Sequence, residues 1–252
     1  PAKDSVSFEQ LEELDRWILM RLDELTDKVN EGYAAYDFHI VFKAIHNFCT
    51  VDLSSFYLDI VKDRLYCEKV DAPTRRAAQT AMYIILDSIT RMVAPILSFT
   101  GEEIWQNMPH RAEDDARSVF LNQFNAKTGV AVDDAFRAKW DEIYALRETV
   151  NKALEEKRNE KLIGKPLDAK VTLTVADEQT AERLRSYPEL KGVFIVSAVE
   201  IAVGTVTAEG GVDVTVEKAP GQKCERCWCF SEEVGKFALH PTLCKRCAEV
   251  LG

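Results

Sequence analysis

Apolar residues recur at helical intervals from the start of the chain. Ser7 and Gln10 stand at the spacing of a capping box. Leu11, Leu14, Ile18, Leu22, Leu25 and Val29 then follow three and four apart, which predicts a helix with one buried stripe. Gly32 is expected to end it as a C-terminal cap. A second long helix is predicted from about Asp37 to Tyr66, with Ile45, Phe48, Phe56, Ile60 and Val61 facing inward. Asp71 and Pro73 open a third, whose stripe holds Ala78, Met82, Ile85, Ile89 and Met92. Pro95 breaks it, because proline has no N–H to donate and its ring clashes with the preceding turn. Thr100 and Glu103 repeat the capping-box spacing ahead of Ile104 and Trp105. Long periodic helices joined by short loops predict an antiparallel bundle.

A polar connection rich in Asp, Arg and Asn occupies 109–132. The next helix is predicted from Asp133 to about Ile163, with Phe136, Trp140, Ile143, Tyr144, Arg147, Val150 and Leu154 as its stripe and Gly164 and Pro166 as its stop. The period then changes. Lys170–Val175 alternates as a strand does. Asp177–Ser186 reads as a short helix, and Val193–Val203 and Val212–Val216 as strands separated by Gly210-Gly211. These segments predict a small α+β module.

Seven cysteines, five of them in the last 29 residues, are not the spread of a secreted disulfide framework. Cys49 and Cys67 fall in the helical region, where lone thiols behave as small hydrophobes. Cys224-x2-Cys227 and Cys244-x2-Cys247 are separated by 16 residues. That spacing lets four thiolates surround one zinc ion tetrahedrally, with no open position for chemistry, so the site is expected to be structural. A module of about 30 residues with few large aliphatics needs the metal to fold. Cys229 is read as packing and His240 as a loop residue. The fold class expected is mainly α: an antiparallel helical bundle, then a small α+β module and a four-cysteine zinc knuckle. The expected domains are 1–125, 126–219 and 220–252.

The net charge of −10 argues against a broadly nucleic-acid-binding surface. Its distribution changes that reading. Residues 1–110 carry 11 basic and 18 acidic groups and 171–220 carry 4 and 8, whereas 151–170 carry 6 and 4 and 221–252 carry 5 and 4. Phosphate contact is therefore confined to the last two stretches, because the rest of the field repels it. Arg158, Lys161, Lys165, Arg226, Lys245 and Arg246 are the candidate contacts, and Trp228 is a candidate platform for an unpaired base. The competing readings are helix-end complementarity for the cations and a core role for Trp228. No apolar run reaches the length of a membrane span and no signal segment opens the chain. A cytoplasmic, monomeric protein that contacts no membrane is expected.

Several segments resemble one family. Leu14-Asp-Arg-Trp-Ile-Leu19, Tyr36-Asp-Phe-His39, Asp52–Asp59, Lys62-Asp-Arg-Leu-Tyr66 and Ala94–Trp105 are similar to the anticodon-binding helical domain of isoleucyl-tRNA synthetases. Glu155-Glu-Lys-Arg158 and Lys161-Leu-Ile-Gly-Lys165 resemble the segment that follows in the bacterial enzymes, and Pro220–Trp228 with Cys244-Lys-Arg-Cys247 resembles their terminal zinc module. The helical motifs are shared with valyl and leucyl relatives; the zinc module points to the isoleucyl type. The resemblance implies recognition of the anticodon arm of isoleucine tRNA. The family's His-Ile-Gly-His and Lys-Met-Ser-Lys-Ser type motifs and its editing domain have no counterpart here. A C-terminal fragment without ligase activity of its own is therefore expected. One rival is a formamidopyrimidine-type DNA glycosylase, which uses an amino-terminal proline and ends in a similar finger. Pro1 fits, but Ala2 stands where that family carries its catalytic Glu. The other rival is a free-standing zinc-containing adaptor.

Overall fold

A computed structural model of the chain describes residues 4–187 and 190–252; Pro1 and Ala2 lie outside the described residues. The chain divides into two compact units, Pro1–Leu65 with Val70–Asp133, and Tyr66–Lys69 with Asp134–Gly252.

The first unit is helical. Ser7 N–H donates to Gln10 Oε1 at 3.1 Å, but this pair closes only a 3-10 turn, Phe8–Gln10. Helix α1 (Glu13–Ala34) starts three residues later and buries Leu14, Trp17, Ile18, Leu22, Leu25 and Val29. Gly32 is not its cap. It lies inside α1 where α2 (Phe38–Asn47) crosses, and a Cβ there would sit 2.7 Å from Val41 Cγ2. The stop is Tyr36, held at φ 59°. Asp37 N–H donates to the Gly32 carbonyl at 2.8 Å and Tyr36 N–H to that of Tyr33 at 3.2 Å, the two bonds of a Schellman motif.

The single helix expected over 37–66 is helical throughout but changes its winding. After α2 comes a π-helical run, Phe48–Tyr57, then α3 (Leu58–Ile60) and α4 (Lys62–Cys67). The wider turn shifts which residues face the core, and Asp52 and Tyr57 are buried beside Phe56. Tyr57 Oη donates to Asp15 Oδ1 at 2.8 Å, and the Arg64 guanidinium grips both Asp15 oxygens at 2.9 Å. Paired in this way, a carboxylate can be fully buried.

Helix α5 (Pro73–Val93) has proline in its first turn and ends just ahead of Pro95. In α6 (Ser98–Asn107), Thr100 lies within the first turn and Leu97 is the N-cap, so the expected capping box does not form. The stretch 109–132 is polar because its side chains anchor it. Arg91 donates to Asp87 at 3.0 Å and to Asp114 at 2.6 Å, and Asn125 to Asp87 at 2.7 Å. Thr128 N–H donates to Asp23 Oδ1 at 2.6 Å.

The second unit is built on α7 (Asp134–Asn159), which buries Trp140, Ile143, Leu146, Arg147, Val150 and Leu154. Arg147 donates to the Val193 carbonyl, so the charge on this apolar face has a partner. The helix stops four residues before Ile163, at a second Schellman motif. Lys161 takes φ 61°, Leu162 N–H donates to the Lys157 carbonyl and Lys161 N–H to that of Arg158, both at 3.0 Å. Gly164 belongs to the next turn: its N–H and that of Lys165 donate to Asp168 Oδ2 at 3.0 and 2.8 Å.

Strand β1 (Ala169–Val175) alternates buried and half-buried residues. It pairs in parallel with β2 (Ala198–Val203) and antiparallel with β3 (Val212–Lys218), in the order β2-β1-β3. The crossover carries α8 (Glu178–Arg185), capped by Asp177 on Thr180 N–H, and α9 (Leu190–Phe194). Val193 and Phe194, expected in a strand, are buried on α9. The hairpin β4 (Gln222–Lys223) and β5 (Phe230–Ser231) and helix α10 (Lys245–Leu251) complete the unit. Residues 220–252 fall in the same compact unit as the α/β module, together with Tyr66–Lys69. Among the described residues no helix is long and apolar enough to cross a membrane.

Candidate zinc centre and nucleic-acid interface

The β4–β5 hairpin delivers the first cysteine pair. At Gly221, φ is 87° and a Cβ would fall 2.3 Å from the Ser231 backbone carbon, so only glycine lets the strands approach. Cys224 N–H then donates to the Cys229 carbonyl and Trp228 N–H to the Cys224 carbonyl, each at 2.9 Å, which folds the first knuckle. Cys244 is the N-cap of α10 and Cys247 lies in its first turn. The two knuckles bring the sulfurs of Cys224, Cys227, Cys244 and Cys247 within 4.8 Å of one another, all buried.

The donor set fits zinc on geometry. A tetrahedron with Zn–S bonds of about 2.3 Å has S–S edges of about 3.8 Å, and the Cys227 and Cys244 sulfurs are 3.8 Å apart. Cys244 N–H donates to Cys224 Sγ at 3.3 Å, the kind of contact that stabilises a thiolate. A hydrogen bond from the Cys229 thiol, working against burial, draws the Cys227 thiol far below its ordinary range. Burial and the charge of Cys227 push Cys247 well above it. The cluster therefore resists a second bare thiolate, and a divalent cation removes that conflict. Cys229 is buried against Cys227 but outside the four, and half-buried His240 is not among them.

Beside the knuckle lies a cationic face. Trp228 is 53% exposed and sits at φ 64°, a conformation that is an outlier for a bulky residue. Lys165 Nζ lies 5.3 Å and Lys223 Nζ 5.5 Å from its ring centroid, within cation–π range. Next to it Arg158, Lys161, Lys218 and Lys223 line a solvent-open depression of about 680 Å³, with Ile163 and Phe230 among its apolar walls.

Of the candidate contacts, Arg158 and Lys161 thus share the depression, and Lys165 meets Trp228. Lys245 and Arg246 are exposed on the first turn of α10 and do not line the depression. Arg158 is ion-paired with Glu155 at 2.8 Å. Arg226 is half-buried, and its Nη2 donates to the Cys67 carbonyl at 3.3 Å. Lys218 and Lys223 were not singled out from the sequence. Lys223 directly precedes Cys224, and Lys218 ends β3 opposite Ala169; only the strand pairing brings them to one place.

Taken together, the chain is a helical unit followed by an α/β unit that carries a tetrathiolate finger and a local cationic face. The chain belongs to the family described as "Anticodon-binding domain of tRNA ligase", whose model matches residues 15–173. A second model, "Zinc finger found in FPG and IleRS", matches residues 221–250. The first match sets the chain apart from the glycosylase reading.

The chain is 48% identical over 257 residues to the isoleucine–tRNA ligase of Syntrophotalea carbinolica, a match that covers 100% of this chain and 27% of the relative. It is 45% identical over 259 residues to that of Bacillus mycoides (100% and 28%). It is 44% identical over 255 residues to that of Geobacter sulfurreducens (98% and 27%). The chain spans about a quarter of the length of these relatives. The finger match and the four-cysteine cluster together support one structural zinc.

Proposed function

We propose that this chain is the tRNA-recognising part of an isoleucine–tRNA ligase, binds the anticodon arm of isoleucine tRNA, and carries no adenylate-forming chemistry itself. The single observation that carries the RNA-binding part is the face around Trp228. In a chain of net charge −10, an exposed indole has two lysines over its ring and lies beside a depression lined by three further cations. Unpaired bases stack on aromatic rings, and the phosphates between them need local positive charge. Arg158, Lys161, Lys165 and Trp228 are the contacts this geometry favours. Arg226, Lys245 and Arg246 have a second role open to them: four thiolates around a divalent ion leave net negative charge, which nearby guanidinium and ammonium groups offset. The relatives' name supplies the amino-acid identity.

The test is a fluorescence-anisotropy titration of the whole chain with the matching anticodon stem-loop and with a scrambled loop on the same stem. Tighter binding to the matching loop is expected, falling steeply with salt because each phosphate neutralised in a single-stranded segment contributes about 0.7 to the slope of log K against log salt. Equal binding to the two loops would refute anticodon recognition.

A further inference from the structure

We propose that Lys161, Lys218 and Lys223 form a seat for one backbone phosphate beside Trp228, so that this face takes a single unpaired nucleotide with its base on the indole and its phosphate in the depression. The inference rests on the reading of the chain as an RNA binder and adds to it the residues that fix one nucleotide's position.

Four observations support the seat. Among the described residues, none of these three lysines is in an ion pair, whereas Lys157, Arg158, Lys170, Arg183 and Arg185 of the same unit all are. The acid in the lining, Asp168, accepts from Gly164 and Lys165 N–H through Oδ2, which holds its carboxylate at a turn, and it is outnumbered by the lysines of the same depression. Lys223 is common to both halves of the site: it lines the depression and its ammonium lies 5.5 Å from the Trp228 ring. Finally, Lys161 and Trp228 both hold left-handed backbone conformations, φ 61° and 64°. Such conformations in non-glycine residues are costly and gather at functional sites.

The geometry also gives the order of events. In the free protein two ammonium groups rest near the indole. A base stacking on the ring displaces one of them, and Lys223 then has the adjacent phosphate within reach of its flexible stem. The depression is open to solvent, so the strand can continue on either side, as a polynucleotide requires and an enclosed metabolite site does not.

The experiment uses the whole chain, a Lys218→Ala/Lys223→Ala variant and a Trp228→Ala variant. The ligands are the matching anticodon stem-loop and a short oligouridine, with inorganic phosphate as competitor. Trp17, Trp105 and Trp140 are at most 3% exposed, so quenching of tryptophan fluorescence reports mainly on Trp228.

The lysine variant is expected to lower the salt slope by about 0.7, one phosphate, while still quenching at saturating RNA. Trp228→Ala is expected to lose the quench and keep the slope. An unchanged slope in the lysine variant, with wild type binding normally, overturns the seat and leaves the RNA reading standing. Failure of wild type to bind either RNA overturns both. Competition by inorganic phosphate as strong as by oligouridine shows an anion site without a nucleotide and overturns the proposal.

Discussion

Lys161 offers a test in which stability and binding move in opposite directions. It occupies the position just past the end of α7 at φ 61°, where glycine is the usual residue. A left-handed conformation costs an L-residue about 1–2 kcal/mol through the clash of Cβ with the following carbonyl. Lys161→Gly removes that cost but makes the unfolded chain freer, which subtracts about 0.4–1 kcal/mol. The net expectation is a gain of about 0.5–1 kcal/mol. A rise in melting temperature of roughly 1–8 °C corresponds to this, at 2–8 °C per kcal/mol for domains of this range of size. The same substitution removes one of the three lysines of the seat, so RNA affinity should drop and the salt slope should fall by no more than about 0.7. Lys161→Ala is the control: it removes the charge while keeping the Cβ, so it should weaken binding equally without the stabilisation. Thermal unfolding followed by circular dichroism, together with the stem-loop titration, measures both effects. If Lys161→Gly melts no higher than Lys161→Ala, the strain argument fails. If neither variant binds RNA more weakly than wild type, Lys161 serves the helix end alone.

Two further perturbations separate the units. Cys244→Ser should abolish stoichiometric zinc, read by elemental analysis, and unfold the residues after about Pro220, while hydrogen exchange in α1 and α5 stays as in wild type because that unit has its own core; a fully protected 220–252 segment without metal would refute the structural role. Asp15→Ala strips the partner from Arg64, whose side chain is only 13% exposed, and should destabilise the first unit by about 3–5 kcal/mol in urea denaturation; a loss under 1 kcal/mol would mean that water already solvates the guanidinium.

What the sequence revealed divides along physical lines. Periodicity placed α1, α5, α7 and β1, because burial of one face fixes those patterns and the spacing is visible without the structure. The four thiols were equally legible, since paired Cys-x2-Cys knuckles have one main use at this spacing. The π-helical run at Phe48–Tyr57 was not legible: its residues are as apolar as an α-helix requires, and only the close fit of Tyr57 and Arg64 on Asp15 distinguishes the wider winding. The cations of the face around Trp228 were half legible. Arg158, Lys161 and Lys165 lie together in sequence, whereas Lys218 and Lys223 join them through the pairing of β3 with β1 and of β4 with β5.

The helix ends were misread for a related reason. Glycine at 32 and at 164 looked like a stop, yet one makes room for Val41 and the other donates to Asp168. The actual stops are Tyr36, Lys161 and Ile195, each at positive φ with the following N–H reaching back five residues. A fold chosen for stability alone would place glycine at such positions. Ile195 is half-buried, so its side chain contributes packing that glycine lacks. Lys161 and Trp228 are exposed and have no such compensation from a core. Lys161 instead lines the cationic depression together with Lys223, whose ammonium lies 5.5 Å from the Trp228 ring. Local backbone preference and side-chain identity disagree at these two surface positions, and the proposed nucleotide seat gives both the charge and the ring a use.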